Sequence, residues 1–173
     1  MISHHIFLIG FMGAGKSTIA GCLKEMLNMN LIEMDQEIVQ KEGMPIAQIF
    51  AEKGEEYFRQ AETKLLASLS QESPAVVSCG GGAVMREENV TLMKKNGKIV
   101  LLTASPETIY LRVKDSQERP VLNGNMNVEY ISSLMEKRRP FYEGAADLTI
   151  STDQKSPEEI SKEIISNLDK ALA

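Results

Sequence analysis

The sequence predicts an α/β fold in which five parallel strands are covered by helices on both faces. Two observations carry that expectation. Short, near-continuously apolar runs alternate with longer segments of helical periodicity, the pattern of a parallel sheet buried on both sides. The chain also has 173 residues with a hydrophobic fraction of 43%, enough for one substantial core. No repeat, low-complexity tract or Pro/Gly linker divides it, so 1–173 reads as a single domain.

The strands are expected at 6–10 (IFLIG), 31–35 (LIEMD), 75–80 (AVVSCG), 98–104 (KIVLLTA) and 147–152 (DLTIST). Helical periodicity covers 16–28, 35–42, 45–70, 86–95, 106–114, 127–143 and 156–172. Ser105-Pro106 and Ser156-Pro157 are good helix starts, because proline suits the first helical turn. In such folds ligands bind beyond the carboxyl ends of the strands. That rule gathers Gly10 to Ser17, Asp35 and Gly80 to Gly82 along one edge. The polar, turn-rich stretch 114–127 fits a surface loop.

Composition excludes several classes of partner. A net charge of −5 argues against nucleic acid, and no apolar run approaches bilayer length. The start MISHHIFLIG has no basic segment followed by a long apolar core, so it does not read as a signal peptide. Cys22 and Cys79 match neither metal nor redox spacing and read as buried thiols, which suits a cytoplasmic location. The ten methionines read as core filler.

GFMGAGKST, residues 10–18, fits G-x-x-x-x-G-K-[ST] through Gly10, Gly15, Lys16 and Ser17, and lies between an apolar strand and a helix. In such a loop the backbone N–H groups around Gly13, Ala14, Gly15 and Thr18 curl about phosphate oxygens, and the helix N-terminus adds partial positive charge. Lys16 is expected to reach the β- and γ-phosphates of ATP, and the Ser17 hydroxyl to bind Mg²⁺. A glycine-rich turn with an exposed lysine is the alternative; the flanking strand and helix favour the phosphate loop.

Transfer of phosphate to an alcohol needs a carboxylate to position the hydroxyl and accept its proton, and Asp35 is placed for that at the end of the second expected strand. A helix N-cap explains Asp35 equally simply. Arg59, in GEEYFRQAE, suits either an i,i+4 pair with Glu55 or a fork gripping an acceptor carboxylate. Arg138 and Arg139, late in a helix, suit either the helix dipole or the same carboxylate. Arg119, in the polar loop, is either a solvated side chain or a lid residue that meets developing charge. The triplet Gly80, Gly81, Gly82 is open to two readings: a tight strand-to-helix turn, or bare backbone against which a small ring can lie.

Taken together, GFMGAGKST, the acids Glu33 and Asp35, GEEYFRQAE, SCGGGAV, ERPVL and KRRPFY resemble the shikimate kinases in order and spacing, from residue 6 to about 160. The resemblance implies a three-layer α/β/α P-loop NTPase fold, nucleoside-monophosphate-kinase-like, with a short lid at about 114–125 and an acceptor region at about 33–62. It implies that Lys16, Asp35 and Arg119 are catalytic, and that Arg59, Arg138 and the glycines 80–82 hold shikimate with Asp35. It further implies that Arg112 stacks on adenine with Lys155 and Pro157 near that pocket, that Arg119 reaches the ATP phosphates, and that the protein is a monomer. The family commonly has Asp-x-Asp where this chain has Glu33-Met34-Asp35; the first acid there acts toward Mg²⁺ through water, and here it is one methylene longer. Alignment on Pro140 favours Arg138 over Arg139, which the following proline biases away from helical geometry.

Two other readings are kept. One is another small-molecule kinase, for gluconate or a nucleoside monophosphate. Against it, the lid is too short for a separate lid domain, and three glycines with two arginines fit a compact cyclic carboxylate better. The other is an ATP-binding regulatory module without turnover, disfavoured because Lys16, Asp35 and Arg119 are all present.

Overall fold

The computed structural model describes residues 2–115 and 124–172. Its five strands are β1 (His5–Ile9), β2 (Asn30–Glu33), β3 (Ala75–Ser78), β4 (Gly97–Thr103) and β5 (Leu148–Ser151), in the order β2-β3-β1-β4-β5. Every pairing is parallel, with Phe7 opposite Val77 on one side and Ile99 on the other. All of β1 and β3 is buried, which is why those runs are almost wholly apolar.

The helices are α1 (Lys16–Leu27), α2 (Met34–Glu42), α3 (Ile46–Lys53), α4 (Glu55–Ser68), α5 (Glu87–Asn96), α6 (Pro106–Val113), α7 (Val128–Ala145) and α8 (Pro157–Leu172). A single core joins β1, β3 and β4 to Leu23, Met93, Ile109, Ile131 and Ile164 of the helices. A smaller cluster of Ile38, Ile49 and Phe58 binds α2, α3 and α4 into a separate flap of chain before β3. Met12, Met34 and Met93 are core residues as expected, whereas Met26 is exposed. Among the described residues no helix is long and apolar enough to cross a membrane.

Four local expectations change. The single helix at 45–70 is two helices, because Gly54 sits at φ 85°, ψ 162°, which a helix interior does not accept. β2 stops at Glu33, so Asp35 lies in the first turn of α2 and does not end a strand; Glu33 is the N-cap, so Asp35 is not. Helix α7 continues through Pro140 to Ala145, so Arg139 is helical after all. Cys79 is buried, but Cys22 is half-exposed, with its sulfur 3.8 Å from that of Met26.

Candidate active site

The parallel topology brings the tips of β1, β2 and β3 together at one end of the sheet, and a cavity of about 530 Å³ opens there. Met12, Gly13, Gly15, Lys16, Ser17 and Thr18 line one wall, and Glu33, Asp35, Cys79, Gly80 and Gly81 the other, with Arg112 at the rim. Residues far apart in the chain thus converge as expected from the sequence. Ala14 is buried behind the loop, its N–H donating to the Phe11 carbonyl at 3.0 Å.

The loop after β1 turns into α1 at Gly15, whose φ of 100° is left-handed and favours glycine. No side chain caps α1. Its first N–H groups therefore face the cavity, an arrangement suited to anions. Lys16 Nζ donates to the carbonyls of Gly10 at 2.7 Å and Phe11 at 3.1 Å, which holds the ammonium over its own loop. The Ser17 hydroxyl donates to Glu33 Oε2 at 3.1 Å. The longer glutamate therefore reaches the hydroxyl that the sequence marks for Mg²⁺. Arg112, from α6, donates to the Gly13 carbonyl at 2.9 Å and to Thr152 Oγ1 at 3.3 Å, tying the phosphate loop to the end of β5.

Arg59 and Arg138 lie against the glycine turn and, like Gly82, do not line the cavity. Beside that turn, α4 presents Arg59. Its Nη2 pairs with exposed Glu55 at 3.3 Å, as the i,i+4 reading expects, and its Nη1 pairs with Glu62 at 2.6 Å. Glu62 is fully buried, and its Oε2 has no hydrogen-bond partner among the described residues. Burial lifts this carboxyl above its ordinary range; Arg59 opposes the shift and Asp35 adds to it.

The glycine triplet is explained by these side chains. Gly82 has φ −101°, so its need for glycine is spatial. A Cβ there would lie 2.5 to 2.7 Å from the Arg59 guanidinium, and one on Gly80 would lie 2.8 Å from Glu62 Oε2 and 3.0 Å from Asp35 Oδ1. At both ends of the triplet a side chain is thus excluded by the protein itself, beside the expectation that bare backbone meets a ring. There the vacant space already holds the protein's own charged groups. At Gly81 a Cβ would make only ordinary contacts with Arg138 Nη1 and the Met12 nitrogen, both at 3.6 Å.

Arg138 comes from α7. Its Nη1 is 3.5 Å from the Gly81 carbonyl, and its guanidinium lies over the Phe11 ring at 5.6 Å. Arg139 turns away and pairs with Glu136. The structure thus brings Arg138, and not its neighbour, to the glycine turn. Lys155 pairs with Glu163 at 2.6 Å, and Pro157 opens α8; neither lines the cavity. Arg119 and most of the lid lie outside the described residues.

Three residues that the sequence reading missed complete the site's support. Glu62 looks like any surface helix residue, with spacing i+3 from Arg59 as its only signal. Asn89 is fully buried: its Oδ1 accepts from Thr63 of α4 at 2.7 Å, and its Nδ2 donates to the Ala83 carbonyl at 2.8 Å. Tyr142 donates from its hydroxyl to the Gly81 carbonyl at 2.5 Å.

The shikimate kinase family model matches residues 12–169. The chain belongs to the shikimate kinase family. A shikimate kinase of Dehalococcoides mccartyi is 43% identical, with 94% of this chain and 92% of the relative covered. One from Sulfurihydrogenibium is 42% identical over 95% of this chain and 97% of its own. Among solved structures, the shikimate kinase of Acinetobacter baumannii in complex with shikimate superposes with a TM-score of 0.92 at 31% identity, covering 98% of this chain and 94% of that one. A gluconokinase from Sinorhizobium meliloti shares the fold alone, with a TM-score of 0.64 at 17% identity. The family assignment makes the chain an ATP-using kinase of the shikimate pathway.

Proposed function

We propose that this member of the shikimate kinase family transfers the γ-phosphoryl group of ATP to the 3-hydroxyl of shikimate in the cavity at the tips of β1, β2 and β3, as a cytoplasmic monomer. The observation that carries the reading is convergence: a phosphate loop and an acidic, arginine-flanked glycine turn face each other across one cavity. A shikimate complex of a relative 31% identical to this chain supports the choice of acceptor.

In this mechanism, the N–H groups of Gly13, Gly15 and Thr18 and the Lys16 ammonium hold the phosphates, Lys16 exchanging its loop carbonyls for phosphate oxygens, while the expected Ala14 N–H instead closes the turn onto Phe11. Asp35 positions the acceptor hydroxyl and takes its proton. Arg59 and Arg138 hold the carboxylate on the far side of the ring, and the glycine turn adds backbone contacts. Arg112 meets the adenine with Lys155 and Pro157 beside it, and Arg119 on the 114–125 lid meets the phosphates as water is excluded.

The Ser17 hydroxyl and the Glu33 carboxylate, already hydrogen-bonded, form a hard-oxygen pair that fits Mg²⁺ beside a triphosphate, with Asp35 two residues away. Held by Ser17 and Glu33, such an ion would supply charge neutralisation at the β- and γ-phosphates.

The test is ADP release by the purified protein with MgATP, offering shikimate, gluconate, AMP or no acceptor. Stimulation by shikimate alone is expected. Stimulation by another acceptor overturns the assignment of the acceptor wall, and ATP binding without stimulated release points to a regulatory module. Elution of the active species at about its 19.2 kDa mass tests the monomer.

A further inference from the structure

We propose that Tyr142 is a positioning residue for the acceptor: by taking the Gly81 carbonyl, its hydroxyl leaves the Arg138 guanidinium available to the substrate carboxylate. The inference rests on the reading above that Arg138 grips that carboxylate.

Tyr142 and Arg138 lie four residues apart on α7, so they share a face, and both reach toward the same oxygen. They do not reach it equally. The Tyr142 hydroxyl is 2.5 Å from the Gly81 carbonyl, a short hydrogen bond, while Arg138 Nη1 stands at 3.5 Å, the outer limit of one. The tyrosine is 5% exposed, so packing fixes its ring and the hydroxyl has one place to be. Burial also pushes its phenol above the ordinary range despite nearby Arg138, so it remains a donor at neutral pH.

Arg138 is steadied differently, by the Phe11 ring beneath its guanidinium. At its edge the guanidinium also meets the Tyr142 hydroxyl, with Nη1 at the outer limit of the Gly81 carbonyl, and its remaining N–H donors are left for a carboxylate. A part-buried carbonyl that loses its donor draws the nearest alternative, because an unmet acceptor is costly. Without the Tyr142 hydroxyl, that alternative is Arg138, one ångström farther out. Drawn down onto Gly81, the guanidinium offers fewer donors to the acceptor. The hydroxyl also fixes the position of the turn that carries the Gly80 and Gly81 backbone.

Tyr142→Phe removes the hydroxyl and keeps the ring. The expected result is a rise in shikimate KM of about tenfold, with ATP KM within about twofold and kcat within about threefold of wild type. In an Arg138→Ala background the same change adds no more than about twofold, because the residue through which it acts is gone. A full tenfold effect in both backgrounds overturns the proposal, as does a parallel rise in both KM values, which marks a general structural role. If Arg138→Ala raises shikimate KM but Tyr142→Phe does not, the tyrosine proposal falls and the carboxylate reading stands. If Arg138→Ala itself leaves shikimate KM unchanged, the carboxylate reading falls and the proposal with it.

Discussion

The Arg59 guanidinium occupies the volume that a side chain on Gly82 would need, its Nη2 lying 2.5 Å from the position of the missing Cβ. Gly82→Ala therefore has to displace Arg59 or the turn. Overpacking of this kind costs about 1–3 kcal/mol. The expected phenotype is a shikimate KM raised by about tenfold or more with ATP affinity unchanged, read by steady-state kinetics and ATP titration. Unchanged shikimate KM would show that Arg59 moves aside freely.

Glu62 gives a pH signature. Its carboxyl ionises near 4.5 in the unfolded chain and at higher pH in the folded one, burial being the main cause. The folded state then binds the proton longer, so this group's contribution to stability is fully present below about pH 4.5 and declines as pH rises toward the folded value. Glutamine cannot ionise. The Tm of Glu62→Gln relative to wild type is expected to be more favourable at about pH 8 than at about pH 5. The same variant weakens the hold on Arg59 and raises shikimate KM. A Tm difference that moves the other way with pH refutes the buried-acid assignment.

Asp35→Asn keeps the shape of the first turn of α2 but removes the base. Transfer is expected to fall at least about a hundredfold while ATP binding, followed by calorimetry, stays near wild type. Wild-type turnover in this variant would remove Asp35 from the chemistry.

Asn89 joins Thr63 of α4 to the carbonyl of Ala83, just after the glycine turn. Asn89→Ala leaves the buried Ala83 carbonyl unmet, while the Thr63 hydroxyl keeps the Arg59 carbonyl at 3.1 Å as an acceptor, a loss of about 1–3 kcal/mol. Thermal unfolding should report a lowered Tm, and shikimate KM should rise more than ATP KM, since the phosphate loop is untouched. Equal effects on both substrates would assign Asn89 to general stability alone.

The parallel sheet, its five strands and the phosphate loop were legible because each leaves a local mark: apolar runs, helical periodicity, a fixed spacing of Gly, Lys and Ser. Arg59, Asp35 and Arg138 were legible as candidates, each with an ordinary explanation beside it. The pair between Arg59 and Glu55 exists, and so does the stronger one to Glu62. The second was hidden because the burial of a carboxylate is decided by what packs over it, and here that is the glycine turn from another part of the chain. Gly54 fell inside the stretch 45–70 read as one helix, because helical periodicity continues on either side of it. Pro140 misled in the opposite sense: α7 keeps its course through the proline, and Arg139 is turned away by its place on the helix and by Glu136. Asn89 and Tyr142 carry no motif; their importance comes from the two carbonyls they meet.

The strand order has a consequence for descent. Asp35, Arg59, Glu62 and the glycine turn belong to one continuous stretch on the β2–β3 side of β1, while Arg112 and Thr152 belong to the β4–β5 side. On the proposed reading, a lineage can exchange the stretch 35–82 and change what is phosphorylated while inheriting the nucleotide end, Glu33 included, intact. The gluconokinase at 17% identity shares this fold. Helix α7 constrains such an exchange, because Arg138 and Tyr142 reach back across the sheet and have to change together with the segment they meet.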